Sequence, residues 1–149
     1  MGDARRARAW HDGVKGAFDL AVRRGVTPPG ADVLVAGDLP VESGLSSSAS
    51  YLVACVLAVW RLAEAEIPMR DAALAAKEVE NDFVGVPCGL LDQISATLCR
   101  EGHALFFDCR SLEARDVPVP ANLAIVVGET GVKRRLTDRA LERRVRECA

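Results

Sequence analysis

Residues 49–60 (ASYLVACVLAVW) carry no charge on any side. A helix that is apolar around most of its circumference is stable only where other elements surround it. The run is too short to cross a bilayer, which takes about 20 consecutive apolar residues. It therefore predicts a core helix, starting near Ser46 or Ser47 and running to about Ala65. Half of the 149 residues are hydrophobic, enough to fill a single core.

Other elements follow from periodicity and breakers. Residues 4–23 predict an amphipathic helix with Trp10, Val14, Phe18 and Val22 on one stripe. Residues 25–30, with Pro28 and Pro29, end it. Residues 32–38 (DVLVAGD) read as a buried strand. Pro68 opens a helix over residues 69–83, and a short helix is expected over 90–98. Residues 100–102 form a turn, and residues 103–108 (HALFFD) and 122–127 (NLAIVV) are further strand candidates. A final helix is expected over 138–148. Strands and helices alternate irregularly, which predicts an α+β layer fold in one domain over residues 1–149.

Charge and cysteine content restrict the function. Nineteen basic against 21 acidic residues leave a net charge of −2, which argues against a nucleic-acid surface. The C-terminal arginines 134, 135, 139, 143, 144 and 146 are interleaved with acidic residues and read as a solvated helix face. Five cysteines with no C-x-x-C pair fit neither a disulfide framework nor a zinc site. The first ten residues are charged rather than apolar, unlike a signal peptide. The expectation is a cytoplasmic protein with no membrane association.

One loop carries chemistry. Gly44, Leu45, Ser46, Ser47, Ser48 and Ala49 stand between the strand candidate and the core helix. A helix start presents backbone N–H groups without partners, and the aligned peptide dipoles add partial positive charge, so it can hold a phosphate. Gly44 permits positive φ or close approach to a ligand. Serine hydroxyls add donors, and one can ligate Mg²⁺. The competing reading is a serine N-cap, for which a single residue suffices. Neither a Walker loop nor a G-x-G-x-x-G fingerprint occurs.

Two acidic residues are open to both bland and functional readings. Asp92 lies in the first turn of a short helix, where the dipole favours a carboxylate. The same carboxylate could accept a hydroxyl proton. Glu80, twelve positions earlier, reads on its own as a solvated glutamate closing its helix. His11 and His103 have no metal partner at useful spacing, and nothing near Cys88 marks it as a nucleophile. Asp108, Arg110 and Glu113 suggest a strand-end turn with a local ion pair.

The order of these motifs resembles the GHMP kinases. Pro40-x-x-x-Gly44-Leu45-Ser46-Ser47-Ser48-Ala49 is similar to the second signature of that family, and the triple serine to its galactokinase branch. Residues 83–93 (FVGVPCGLLDQ), 102–113 (GHALFFDCRSLE) and 130–134 (TGVKR) agree in order and spacing. Residues 10–18 look like the helix that precedes the phosphate strand.

The resemblance implies an N-terminal domain of GHMP-kinase type, a ribosomal-protein-like two-layer fold with a left-handed β-α-β crossover that departs from the usual handedness. It implies transfer of the γ-phosphoryl group of Mg-ATP to the anomeric hydroxyl of galactose. Residues 44–49 would bind the ATP phosphates, Ser48 and Glu80 would ligate Mg²⁺, Asp92 would be catalytic, and Gly89 with Asp92 would contact the sugar. The shared ribosomal fold raises RNA binding as a rival, which the net charge opposes.

The chain departs from the family in several places. Nothing before Ala31 resembles the first signature, with its catalytic arginine, and the glycine-rich third signature is absent. The expectation is thus a partial domain that lacks half the cleft. It could be a non-catalytic nucleotide- or sugar-binding remnant, or one half of a split gene whose partner chain supplies the rest. Glu42 stands where the family usually has glycine, and Leu141 where it often has tyrosine.

Overall fold

The computed structural model describes residues 9–41, 43–128 and 147. Its helices are α1 (Asp12–Arg23), α2 (Ser47–Leu62), α3 (Met69–Glu78) and α4 (Leu91–Leu98), with a π-helical stretch, Val79–Val84, continuing α3. Two strands follow, β1 (His103–Phe107) and β2 (Ala114–Pro118), paired antiparallel with His103 opposite Pro118 and Phe107 opposite Ala114.

The uncharged helix is the centre of the fold. Leu52, Val53, Val56, Val59 and Trp60 of α2 are buried against Ala17, Leu20 and Ala21 of α1 and against Ala72, Ala75, Ala76 and Val79. Burying each of the larger side chains contributes about 1.5–3 kcal/mol. Outward positions of the run hold small residues, so Ala54 and Ala58 are exposed at little cost. A smaller cluster of Ala73, Leu90 and Ile94 receives Leu105 and Phe107 from the hairpin. Alternation along β1 turns His103, Leu105 and Phe107 inward.

Helix α1 differs from its expected form. It starts at Asp12, residues 4–8 lie outside the described set, and its buried stripe is Gly13, Gly16, Ala17, Leu20 and Ala21 rather than the large residues. Trp10 is 65% and Val22 37% exposed, while Val14 and Phe18 only flank the core. Close approach explains the rotation. A Cβ at Gly13 would stand 2.5 Å from the Tyr51 ring, and one at Gly16 would stand 2.6 Å from Val79 Cγ1. Helices therefore meet on the glycine face, which a count of bulky residues does not detect.

Strand expectations held for one of three segments. Residues 103–107 pair as expected. Residues 32–38 and 122–127 have no ladder among the described residues, and both segments are exposed, with Leu34 at 93% and Val126 at 90%. An apolar extended run becomes a strand only beside another strand's N–H and C=O groups, and neither segment is paired in that way among the described residues. The described strands therefore contain no β-α-β crossover. β2 was not expected, because its sequence, ARDVP, is charged. It is held by the β1 ladder, by Arg115 over the Phe106 ring at 4.6 Å, and by an Arg100–Asp116 ion pair at 3.1 Å.

The turn between them corrects a second detail. Asp108 Oδ1 accepts the backbone N–H groups of Arg110 at 2.7 Å and Ser111 at 2.9 Å. These bonds, rather than an ion pair, shape the turn, and they hold the Asp108 carboxyl below its usual range. Among the described residues no helix is long and apolar enough to cross a membrane. The expected helix over 138–148, Glu42, Leu141 and the 130–134 motif lie outside the described residues.

Candidate functional site

The serine loop ends in two left-handed residues, Gly44 at φ 77° and Ser46 at φ 56°. The αL region costs a non-glycine residue about 1–2 kcal/mol, so Ser46 stores local strain. Ser46 occupies the N-cap position yet its side chain makes no capping bond. The first intrahelical bond runs from Ser50 N–H to the Ser46 carbonyl at 3.0 Å. The N–H groups of Ser47, Ser48 and Ala49 thus have no intrahelical acceptor, and they stand at the positive end of a 16-residue helix. The bland capping role is not what this serine does.

Ser48 is engaged differently. Its hydroxyl donates to Glu80 Oε1 at 2.9 Å. Glu80 lies in the π-helical stretch, where Gly85 and Val86 donate to its backbone carbonyl at 2.9 and 3.0 Å. The wider π turn departs from the 3.6-residue period and redirects the side chains that follow α3. Gly85, at φ 82°, ends the stretch. Glu80 is only 4% exposed, which corrects the reading of a solvated glutamate.

The second Glu80 oxygen is also occupied. Gln93 Nε2 donates to Oε2 at 2.6 Å, and Cys88 Sγ lies 3.3 Å away. Cys88 Sγ is 3.2 Å from Asn81 Oδ1, which also accepts the Cys88 backbone N–H at 2.9 Å. Burial, and then the neighbouring Glu80 carboxylate, push the Cys88 thiol up to about 12. It is a protonated donor rather than a nucleophile. Thus α2, the π stretch, the loop after it and α4 meet at one carboxylate.

Asp92 and Gly89 occupy the surface of this arrangement. Asp92 is exposed in the first turn of α4, one residue from buried Gln93. Consecutive helical residues point about 100° apart, so Gln93 faces inward while Asp92 faces out. Gly89 is exposed, and a Cβ there would meet nothing within 4 Å. The structure brings Ser48 and Glu80 into contact; it records no hydrogen bond or ion pair between Asp92 and the serine loop.

The donor set suits a hard cation. Two octahedral ligands at 2.0–2.1 Å lie about 3 Å apart along a cis edge. The 2.9 Å separation of Ser48 Oγ and Glu80 Oε1 matches that edge. Among the described residues no group of three or more His, Cys, Asp or Glu side chains could hold a metal, so water and phosphate oxygens would complete the shell. Two open hollows of about 480 and 370 Å³ lie elsewhere, around Trp60, Ile67 and Pro68 at the far end of α2.

Gln93 and Asn81 were not anticipated as site residues. A signal for Gln93 existed: positions 90, 93, 94 and 97 form one helical stripe, and an amide among Leu90 and Ile94 is conspicuous there.

The chain belongs to the GHMP kinases: residues 12–100 match the GHMP kinases N terminal domain. It is 43% identical over 145 residues to the galactokinase of Roseiflexus sp. (strain RS-1), covering 97% of this chain and 37% of that protein. It is 42% identical over 135 residues to the galactokinase of Thermococcus kodakarensis, covering 91% of this chain and 39% of that protein. A crystal structure of Lactococcus lactis galactokinase complexed with galactose superposes with a TM-score of 0.69 at 26% identity, over 85% of this chain and 35% of that one. The chain therefore spans less than two fifths of the length of these relatives.

Proposed function

We propose that this chain carries the ATP-phosphate and metal half of a galactokinase-type active site, which phosphorylates galactose or a related sugar at the anomeric hydroxyl. The observation that carries this reading is the Ser48–Glu80 contact below a helix start with unpartnered N–H groups. The likeness to galactokinases supports the choice of reaction.

In this reading the N–H groups of Ser47, Ser48 and Ala49 hold the phosphates, and Gly44 with Leu45 and Ser46 lets them approach. Ser48 and Glu80 hold Mg²⁺, which neutralises charge on the β- and γ-phosphates. Asp92 orients the sugar hydroxyl and takes its proton as the oxygen bonds to the γ-phosphorus and the bond to ADP breaks. Gly89 leaves room for the sugar beside it. The ligands are small molecules, and a net charge of −2 argues against a nucleic-acid surface. A cytoplasmic location suits the free thiols Cys55, Cys88, Cys99 and Cys109.

A second reading rests on a separate observation. The exposed apolar segments 32–38 and 122–127 favour a chain that works against further polypeptide, a partner chain or the rest of a longer protein, and binds nucleotide or sugar without turnover alone. Incubation with Mg-ATP and galactose, beside direct measurements of ATP and galactose binding, separates the two. Sugar phosphate from the chain alone supports the first. Binding of ATP or of galactose without product supports the second, and binding of neither, together with no product, would sink both.

A further inference from the structure

Gln93 sits at the hidden side of the proposed metal pair, and its two amide atoms are treated unequally. Nε2 is 2.6 Å from Glu80 Oε2, a short bond strengthened by the carboxylate charge. Oε1 is buried and has no hydrogen-bond partner, in a residue only 1% exposed. The orientation follows from electrostatics, because turning the amide would set its oxygen against the carboxylate. An orphaned amide oxygen is unfavourable, and an apolar side chain would suit the neighbours Leu90 and Ile94 better. Packing therefore does not account for this residue; its N–H donor does.

We infer that Gln93 is a positioning residue that locks Glu80 as a one-oxygen ligand and thereby biases the site toward a small octahedral cation. This rests on the Ser48–Glu80 metal reading. With Oε2 held by Gln93 and approached by Cys88, only Oε1 is turned toward Ser48. A carboxylate free to rotate can offer both oxygens to one ion, as Ca²⁺ commonly accepts. Mg²⁺ and Mn²⁺ take one oxygen from each carboxylate more readily within six-fold geometry. The lock comes from a neighbouring helix, so it acts without touching the ion itself.

The test is Mn²⁺ binding to the full chain in the presence of ATP, followed by electron paramagnetic resonance, with Mg²⁺ and Ca²⁺ as competitors. Gln93→Met keeps the length and removes the donor. Mn²⁺ affinity is expected to fall by about 10–100-fold, the usual effect of removing a group that orients a metal ligand. The advantage of Mg²⁺ over Ca²⁺ as competitor is expected to narrow. Should Gln93→Met not fold, Gln93→Leu, which also removes the donor and is apolar like Leu90 and Ile94, gives the same reading. Unchanged Mn²⁺ affinity and unchanged Mg²⁺ preference in a folded variant would overturn the role of Gln93 alone. Ser48→Ala and Glu80→Gln variants that bind Mn²⁺ as the parent does would overturn the metal reading and this inference together.

Discussion

Ser48 and Glu80 are 32 positions apart in sequence and 2.9 Å apart in space. The contact joins the helix that begins at the serine loop to the π-helical end of the next. Glu80 also accepts from Gln93 and Cys88, so removing its carboxylate strips acceptors from α2, α4 and the loop between the π stretch and α4. Glu80→Ala is expected to destabilise the fold by about 2–3 kcal/mol, because buried donors lose a charged partner. Ser48→Ala removes one bond and should cost about 1 kcal/mol. Urea denaturation of both variants checks the order; a larger loss for Ser48→Ala would contradict it.

Asp92 faces solvent, and its neighbour Gln93 does the internal work. Asp92→Asn should leave stability within about 0.5 kcal/mol, as is usual for exposed positions. In a preparation that phosphorylates sugar, the rate should fall by about 10²–10⁴-fold, the range for removing a general base. Equal rates for parent and variant would remove Asp92 from the mechanism. Thermal melts and sugar-phosphate assays measure the two effects independently.

Cys88 is predicted to resist alkylation. With its thiol pushed up to about 12, almost no thiolate exists at pH 8, whereas Cys99 and Cys109 are exposed. Peptide mass spectrometry after brief iodoacetamide treatment of the native chain should find label on Cys99 and Cys109 and little on Cys88. The pH dependence of stability has a definite sign. The unfolded thiol ionises near its ordinary value of 9.0, while the folded one keeps its proton to about 12. The folded state then binds more protons across that window, so stability falls as pH rises through it. Burial raises Cys55 and Tyr51 as well, and both add to the same trend. Denaturation midpoints should therefore decline above pH 9.

Two glycines should fail for different reasons when replaced by alanine. At Gly44 a Cβ meets no atom within 4 Å, but φ is 77°, so strain of about 1 kcal/mol is expected. At Gly16 the backbone is helical, but the new Cβ stands 2.6 Å from Val79 and 3.0 Å from Phe83. Overpacking there should cost about 1–3 kcal/mol, partly offset by the helix preference of alanine. Val79 precedes Glu80, so Gly16→Ala should also weaken Mn²⁺ binding. Denaturation curves and metal titration of the two variants distinguish strain in the loop from displacement of the core.

Much of the chain was legible locally. The uncharged run of α2, the breaker Pro68 and the alternation of β1 each encode a backbone conformation in neighbouring residues, because helix and strand periods are short-range properties. The sequence of Gly44 to Ala49 likewise marked a helix start able to hold phosphate. What remained hidden depends on residues far apart. Glycines, not bulky residues, determine the buried face of α1, because what matters is how near α2 and Val79 can come. Residues 32–38 and 122–127 read as strands, but a ladder needs a neighbour that no local pattern guarantees. The charged β2 became a strand because β1 supplied one. Glu80 is the sharpest case. Its sequence context suits water, and only the packing of α2, α3 and α4 buries its carboxylate between Ser48 and Gln93. The sequence alone thus determined where α2, α3 and α4 form and the helix start that follows the serine loop. Tertiary structure decided the partners of the carboxylate beneath it, because burial and pairing are properties of distance in space rather than along the chain.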